Sequence, residues 1–271
     1  MPITQKNYRP ISLLSILSKI TEYVILNRLK TFTNENNFTN PNQYGFTRNL
    51  STYHPLLGLT EKITAGFQKG RSTGAVFLDI QKAFDRVWVS GLIFKLITNN
   101  FPPALIHLIN PYLVNRSFQV RVNDTLSNSF KINYGVPQGS LLGPLLFNIF
   151  INDIPTHPQT STNIYADDTV TLATYKNNKT ITLALNNHLK LLETFFDTWK
   201  IKINIDKTIA VLFTKRKTKP TPPTLYSTQL QWSQNTKYLG LTHTLDNKLT
   251  WKQHIIQTRD KFRRAQRAFF P

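Results

Sequence analysis

The sequence predicts an α+β fold in which helices are segregated from a small antiparallel sheet. Residues 17–32 have the spacing of an amphipathic helix. Its apolar positions are Ile20, Val24, Leu26 and Leu29. Residues 117–124 and 128–136 alternate apolar and polar side chains on either side of a polar turn, which predicts a β-hairpin. The sequence has no internal repeat and no long linker, so we expect one compact domain.

The remaining elements are predicted from similar patterns in chain order. Apolar spacing with glycine or proline boundaries predicts helices at 54–70, 89–100, 102–115, 140–154, 180–199 and 250–270. Short apolar or alternating runs predict strands at 74–80, 164–166, 170–172, 202–215 and 230–244. The "DDT" triplet at 167–169 separates two of these strands and is expected to form a tight turn.

The composition favours a polyanionic partner. Lys and Arg number 33 against 14 Asp and Glu, which gives a net charge of +19 and a pI near 10.1. Aromatic residues make up 12% of the chain and suit stacking on nucleic-acid bases. The absence of cysteine excludes disulfides, thiolate zinc sites and cysteine nucleophiles. The longest apolar stretch, 140–153, is too short to span a bilayer, so no membrane partner is predicted. Oligomeric state and compartment are not indicated.

Acidic residues end two of the predicted strand regions. Residues 163–174, "NIYADDTVTLAT", contain Asp167 and Asp168, and the apolar strand in "AVFLDIQKAFDRVW" ends on Asp79. An isolated Asp-Asp pair is more often a solvated turn, and Asp79 alone is equally compatible with a helix cap. Three carboxylates on neighbouring strands, however, suit Mg²⁺, which prefers hard oxygen ligands. Two such ions can activate an attacking oxygen and stabilise a leaving one.

A glycine-rich turn precedes the apolar segment at 140–154. Gly135, Gly139 and Gly143 permit close approach of a ligand, and the amides at the start of the helix can face phosphate. Turns of this kind are common, so this turn alone does not indicate a function.

Seven sequence blocks, in this order, resemble the reverse transcriptases of non-LTR retrotransposons of the jockey-like and LINE group. The blocks are "NYRPISLLSILSKI", "QYGFTRNLST", "FLDIQKAFDRVW", "YGVPQGSLLGPLLFNIFINDI", "YADDT", "WKIKINIDKT" and "KYLGLTHTLDNKLTW". The resemblance covers essentially the whole chain. It implies a right-hand polymerase with fingers and palm, a small antiparallel palm sheet backed by helices, and a thumb that is largely missing. Residues 1–75 would be mainly fingers, 76–245 mainly palm with fingers insertions, and 246–271 the start of the thumb.

The resemblance also implies roles for the acids. Asp79, Asp167 and Asp168 are similar to the catalytic, metal-binding acids of the palm, with Asp167 as the more direct ligand. Two Mg²⁺ ions are the implied cofactor, with Mn²⁺ as an alternative. Asp85 would be a structural cap or salt-bridge partner.

Six further residues resemble nucleotide-binding positions of the family: Phe84, Gln138, Gly139, Arg9, Lys19 and Lys207. Phe84 resembles the steric gate that disfavours a 2′-hydroxyl, although a core aromatic fits the pattern equally well. Gln138 and Gly139 resemble residues that meet the incoming dNTP and the template base. Arg9 and Lys19 resemble fingers residues near the triphosphate, and a solvated helix face is the alternative. Lys207 resembles a lysine near the leaving pyrophosphate, and a surface lysine is the alternative.

The last block resembles a primer grip formed by Tyr238, Leu239 and Gly240, a turn that holds the primer 3′ end. One position departs from the family: Thr47 stands where an arginine usually follows "GF", with Arg48 next. Basic runs lie at 215–219 and 259–267. The charge favours phosphate contact for the second run and leaves the first open.

The implied activity is RNA-directed DNA polymerisation, a transfer of nucleotides from dNTP to a DNA primer on an RNA template. One alternative is an intron-type or viral RNA-dependent polymerase. Phe84 disfavours an enzyme that makes RNA, and the jockey-like sequence of the first two blocks disfavours an intron-type enzyme. Another is a truncated or degenerate nucleic-acid-binding remnant without turnover.

Overall fold

The computed structural model describes residues 12–239 and 244–269. Arg9 of the predicted fingers and Gly240 of the predicted primer grip therefore lie outside the described residues. The described chain forms two compact units. The first contains residues 12–40, 81–153 and 198–202, and the second contains residues 41–80, 154–197, 203–239 and 244–269.

The helices lie close to their predicted positions. They are α1 (Ile16–Glu35), α2 (Tyr53–Gln68), α3 (Val89–Thr98), α4 (Pro103–Val114), α5 (Gly143–Phe150), α6 (Asn178–Thr198) and α7 (Lys252–Phe269). Helix α5 is shorter than the predicted 140–154 because Ser140 Oγ accepts the amide protons of Leu142 and Gly143, at 2.9 and 3.2 Å. Residues 140–142 thus form a turn that Ser140 stabilises and that leads into the helix.

The strands are short outside one central sheet. They are β1 (Ser72–Asp79), β2 (Arg116–Phe118), β3 (Arg121–Val122), β4 (Thr125–Leu126), β5 (Phe130–Ile132), β6 (Ser161–Tyr165), β7 (Asp168–Tyr175), β8 (Ile209–Phe213), β9 (Thr224–Leu225), β10 (Thr228–Gln229), β11 (Trp232–Ser233), β12 (Asn235–Lys237) and β13 (Thr244–Asp246). Strand β2 pairs with β5 and β3 pairs with β4, which confirms the hairpin predicted across 117–136.

Helix α1 in the first unit confirms its predicted span and two of its four predicted apolar positions, since Leu26 and Leu29 are buried. Ser15 caps its start by accepting the Ser18 amide proton at 3.2 Å. Ile20 and Val24 are exposed, whereas Glu22 is buried. The reason is a long-range contact: Glu22 accepts hydrogen bonds from the Tyr112 hydroxyl and the Leu141 amide, so the helix turns this carboxylate inward.

A buried cation connects three parts of the first unit. The Lys95 ammonium on α3 donates to the Phe150 carbonyl at 2.5 Å and forms an ion pair with Asp153. It also lies 3.7 Å from the centroid of the Trp199 ring. Burial lowers the Lys95 pKa to about 8, even though the hydrogen bond and the charge of Asp153 act in the opposite direction, so the ammonium is still mostly charged at neutral pH. This cluster is structural, since a buried charge persists only where it is paired.

The second unit is built on a five-stranded sheet of order β11-β8-β1-β7-β6. Strand β1 is central and pairs antiparallel with β7 and β8, while the edge strand β11 pairs parallel to β8. The predicted small antiparallel sheet is confirmed, with this one parallel edge. Asp79 lies opposite Asp168 at one end of β1, and Ser72 lies opposite Tyr175 at the other. This register gives the sheet an acidic end.

The core of this unit packs around β1, β7 and β8. Helix α2 contributes Leu59 and Ile63, and the sheet contributes Phe77, Val170 and Phe213. Each large apolar side chain that is fully buried stabilises the fold by about 1.5–3 kcal/mol. Strand β1 is buried at every position from Ser72 to Leu78, and this continuous burial ends at Asp79, which is partly exposed.

None of the helices within residues 12–239 and 244–269 is both long enough and apolar enough to cross a membrane.

Candidate catalytic site

The acidic hairpin is tighter than the sequence predicts. Tyr165 pairs with Asp168 across β6 and β7, so Ala166 and Asp167 alone form the turn. The prediction that "DDT" forms the turn is wrong by one residue, because Asp168 already belongs to β7. Ala166 has φ of 56°, in the left-handed region that favours glycine. The turn is therefore strained and must be held by its surroundings.

Asp79 ends β1 directly opposite Asp168. Its carbonyl accepts the Asn204 amide proton at 2.8 Å, which anchors the strand end. The alternative role as a helix cap is wrong, since the following helical turn at Phe84–Arg86 has Ala83 at its N-cap position. The register therefore places two carboxylates side by side at the end of the sheet.

A cavity of about 90 Å³ opens beside these acids. Its polar lining includes Asp79, Asp168, Lys207, Lys237 and Tyr238. Since one liquid water occupies about 30 Å³, the space suits a few waters or an ion rather than a whole nucleotide. Lys207 is exposed on a short helical turn and lines this cavity. Lys237 was not anticipated, and nothing in its sequence context distinguishes it from other lysines.

The carboxylates beside this cavity repel one another. Although part of the Asp168 side chain is exposed, desolvation by neighbouring atoms, together with the negative charges of Asp167 and Asp79, raises the pKa of its carboxyl to about 6. Tyr238 is buried, and burial together with the charge of Asp168 raises the pKa of its hydroxyl, which stays neutral. Within the described residues that hydroxyl has no hydrogen-bond partner. A bound cation with its waters would offset the repulsion between the carboxylates and would give the Tyr238 hydroxyl a hydrogen-bond partner.

Replacing Asp168 by asparagine is expected to stabilise the metal-free protein at neutral pH. Folded Asp168 keeps its proton up to about pH 6, whereas the ordinary aspartate value is 3.8. The folded state therefore binds more protons between these values, and stability falls as pH rises through this window. Thermal unfolding in EDTA should give Asp168→Asn the higher Tm at pH 7, with a difference that shrinks towards pH 4. A difference that grows as the pH is lowered would contradict this prediction.

The residues present fit a divalent ion held by two carboxylates. In the part of the chain that the structure describes, no three His, Cys, Asp or Glu side chains lie close enough to hold a metal ion together. Mg²⁺ commonly takes one or two protein carboxylates and completes its shell with waters and substrate phosphates. Asp79 and Asp168, with the unpartnered Tyr238 hydroxyl beside them, match that smaller donor set.

The hairpin turn is held by a segment to which sequence reasoning assigned no contact. Gln43 forms an isolated bridge with Ile164, and its side-chain oxygen accepts the amide protons of Gly45 and Ala166, at 2.7 and 3.0 Å. A Cβ on Gly45 would lie 2.3 Å from the Ala166 nitrogen, so only glycine fits. Thr47 donates to the Gln43 carbonyl at 3.0 Å, which gives the departure from the family pattern a structural role. Arg48 is exposed.

The first unit contains the predicted nucleotide-binding residues of the two middle blocks. Phe84 is half-buried and stacks on Phe147, with ring centroids 4.7 Å apart. The Gln138 amide donates to the Asp85 carboxylate at 2.7 Å, so Asp85 is a hydrogen-bond partner. Gly139 has φ of 96°, a conformation that requires glycine.

A buried network that sequence reasoning missed supports this turn. The Tyr112 hydroxyl hydrogen-bonds Glu22 and lies 2.7 Å from Ser140 Oγ. The Glu22 carboxylate also accepts the Leu141 amide proton at 2.9 Å. Only the isolated charge of Glu22 within an apolar stretch could have indicated that it is buried.

The other predicted residues are distributed between the two units. Lys19 is exposed near the start of α1 in the first unit. Tyr238 and Leu239 are buried in the core of the second unit, where the Tyr238 ring meets Phe77 edge-on with centroids 5.3 Å apart.

Comparison with known proteins identifies the family. The sequence model for reverse transcriptase (RNA-dependent DNA polymerase) matches residues 2–243. The chain belongs to the reverse transcriptase family. The family is defined by RNA-dependent DNA polymerase activity, which in general depends on a divalent metal ion. The paired acids Asp79 and Asp168 lie inside the matched range.

Two curated relatives make the family assignment more specific, because both are from mobile elements. This reverse transcriptase is 36% identical over 270 residues to the RNA-directed DNA polymerase from mobile element jockey of Drosophila melanogaster, covering 97% of the chain and 29% of the relative. It is 37% identical over 272 residues to the probable RNA-directed DNA polymerase from transposon BS of the same species, covering 96% and 30%. The chain thus spans under a third of the length of these relatives. The resemblance to jockey-like non-LTR elements is confirmed.

A solved structure supports the fold. Apo telomerase from Candida tropicalis, truncated from the C-terminal domain, superposes with a TM-score of 0.54 at 12% identity. The alignment covers 85% of this reverse transcriptase and 44% of the telomerase chain. At that identity the likeness shows the fold alone, and it confirms the predicted right-hand polymerase architecture.

Proposed function

We propose that this chain contains the polymerase centre of a non-LTR retrotransposon reverse transcriptase, which extends a DNA primer on an RNA template with dNTPs. The observation that supports it most directly is the register of β1 and β7, which sets Asp79 opposite Asp168 beside a small cavity. Because the chain belongs to the reverse transcriptase family, these acids would serve as metal ligands for nucleotide transfer. Within this proposal, residues 1–75 are mainly fingers, 76–245 mainly palm, and 246–271 the start of a thumb.

The acids would hold the catalytic metal ions. Asp79 and Asp168 face the cavity, and Asp167 in the adjoining turn would complete the set once a cation offsets the repulsion between the carboxylates. Bound Mg²⁺, or Mn²⁺ in its place, lowers the pKa of a coordinated hydroxyl and neutralises a leaving phosphate oxygen. Lys207 and Lys237 line the same cavity and would bind the departing pyrophosphate.

Other residues would position the substrates. Phe84 would exclude a 2′-hydroxyl, and Gln138 and Gly139 would meet the nucleotide and template base. Arg9 and Lys19 would approach the triphosphate. Tyr238, Leu239 and Gly240 would hold the primer end, with the buried Tyr238 ring as the fixed part of that support. Catalysis would depend mainly on positioning and electrostatics.

Primer extension on oligo(dT)–poly(A) tests the proposed function. With Mg²⁺ we expect the chain to incorporate dTTP, and EDTA should abolish this incorporation. Incorporation of rTTP should be much weaker, because Phe84 rejects the ribose. The double variant Asp167→Asn/Asp168→Asn should lose incorporation but keep binding to template–primer. Binding by the wild-type chain without incorporation would support the alternative of a remnant without turnover. Equal use of rTTP would remove the role proposed for Phe84.

A further inference from the structure

The end of the central sheet opposite the acids is strongly basic. Strand β1 runs eight residues from Ser72 to Asp79. At about 3.3 Å per residue, its first residue lies roughly 23 Å from the paired acids. Tyr175 of β7 lies at that same end, opposite Ser72, and Phe213 of β8 pairs next to it with Thr73. Segments that flank these three strand ends therefore converge far from the catalytic centre.

Three such segments concentrate positive charge. Residues 61–71, 174–179 and 214–219 together contain nine Lys and Arg against a single acid, Glu61. The last of them contains the basic run at 215–219, whose role the sequence alone left open. Its four cations are all exposed.

The three segments are tied together rather than separate. The Arg216 guanidinium donates to the Gly70 carbonyl at 2.8 Å and to the Lys176 carbonyl, so it joins all three. The Asn178 amide donates to the Thr218 carbonyl at 3.1 Å. Lys215 lies 5.4 Å from the centroid of the Phe67 ring. These contacts hold the backbones of the three segments together, so less conformational entropy would be lost when an anion binds.

A pocket of about 310 Å³ lies within this basic end. Lys62, Lys69 and Arg71 line it together with the hydroxyl-bearing residues Thr160, Ser161 and Thr174. Burial lowers the pKa of Lys62, which indicates that its charge lacks full compensation from the surrounding protein. Several cations around one concavity are suited to a phosphate group.

We propose that this basic end, defined as Lys62, Lys69, Arg71, Lys176, Lys179 and residues 215–219, is a second nucleic-acid site that binds the phosphate backbone of RNA away from the catalytic centre. A membrane surface is the less favourable partner, because peripheral binding also needs exposed apolar side chains. In the basic segments Ile63 is buried and Phe67 packs against the core. The choice of RNA rests on the proposed function, whereas the presence of a phosphate site rests on the geometry alone.

Charge removal at four lysines tests this site. The variant Lys69→Gln/Lys176→Gln/Lys217→Gln/Lys219→Gln changes exposed side chains and leaves the Arg216 ties intact. Binding of a single-stranded RNA should weaken roughly tenfold or more, and the slope of log affinity against log salt should fall by roughly 3. Extension of a primer on a template confined to the duplex should stay near the wild-type rate. Fluorescence anisotropy over a salt series measures the first two quantities.

A matched control removes the same charge elsewhere. Lys30→Gln/Lys131→Gln/Lys190→Gln/Lys202→Gln also changes four exposed lysines, and it should bind RNA within about twofold of wild type because none of the four belongs to the three basic segments. Replacing the first quartet by arginine should restore binding. Equal weakening by both glutamine quartets would overturn the proposal, as would unchanged RNA binding by the first. The proposal would also be overturned if the first glutamine quartet lost binding to anionic phosphatidylserine vesicles but kept its binding to RNA. If the first quartet unfolds, the loop variant Lys217→Gln/Lys219→Gln decides the same question.

Because binding is read separately from incorporation, the two proposals fail separately. A chain that incorporates dTTP but binds RNA equally after the quartet change would overturn the second site alone. A chain without incorporation that still shows the quartet effect would overturn the polymerase proposal and keep the phosphate site.

Discussion

Replacing Asp79 by asparagine is expected to lower primer extension by at least about 10²–10³-fold, the loss typical of removing one preorganised electrostatic group from a catalytic centre. Asp79 supplies the second carboxylate of the proposed metal site, because it lies opposite Asp168 on the neighbouring strand β1. An amide has the same shape but cannot offset the charge of a divalent cation. The loss should therefore appear in kcat at saturating dNTP, measured by single-turnover extension.

The control for this variant is Asp206→Asn, an identical chemical change at an exposed aspartate in the short helical turn Ile205–Lys207. It should extend primers within about twofold of wild type, since surface substitutions usually have small effects. Template–primer binding should survive in both variants because the removed charge is negative. An Asp79→Asn chain that retains more than a tenth of wild-type kcat would contradict the role assigned to Asp79.

The sequence indicated the acids because each follows a local pattern. A continuous apolar run ending on a carboxylate predicts a buried strand that emerges at Asp79, and β-forming residues on both sides of Asp167 and Asp168 predict a hairpin. Neither pattern shows which residues of the neighbouring strands lie opposite each other. The turn lies at Ala166–Asp167 rather than at 167–169 because residues outside the hairpin hold Ala166 at a positive φ.

The residues that sequence reasoning missed act through contacts distant in the chain. Gln43 reaches Ala166 across 123 positions, and Glu22 reaches Tyr112 across 90. Periodicity assigned Ile20, Val24, Leu26 and Leu29 to the apolar face of α1. Leu26 and Leu29 are buried, whereas Ile20 and Val24 are exposed. Glu22 is buried as well because its partners lie on α4 and in the turn before α5. A pattern of period 3.6 reports which residues share a face but not which face finds a partner.

The grip of Gln43 and Gly45 on the hairpin predicts the second large effect. In Gly45→Ala the new methyl group would lie 2.3 Å from the Ala166 nitrogen and 2.9 Å from the Tyr165 carbonyl carbon. These are backbone atoms that no rotamer change can move, so the hairpin must shift. A displacement of about 1 Å at the reacting atoms costs on the order of 10²-fold in rate. We expect kcat to fall by that order with little change in the KM for dTTP, and Tm to fall as well because overpacking costs about 1–3 kcal/mol.

Gly58→Ala is the matched control, since a Cβ there has no neighbour within 4 Å and the residue lies inside α2. Alanine in a helix is favoured over glycine by about 1 kcal/mol, so this variant should be at least as stable and fully active.

Gln43→Leu tests the same support by its hydrogen bonds. It leaves the amides of Gly45 and Ala166 unsatisfied, which costs about 1–3 kcal/mol for each buried group, whereas Gln43→Glu retains the acceptor oxygen and should lose less activity. A purely structural role predicts lower stability with wild-type kcat in the fraction that remains folded. A positioning role predicts a lower kcat in that fraction, because the turn between Tyr165 and Asp168 would no longer hold the two strands in the register that sets Asp168 against Asp79. Active-site titration with labelled template–primer distinguishes these outcomes, and wild-type kcat per folded Gly45→Ala chain would refute the positioning role.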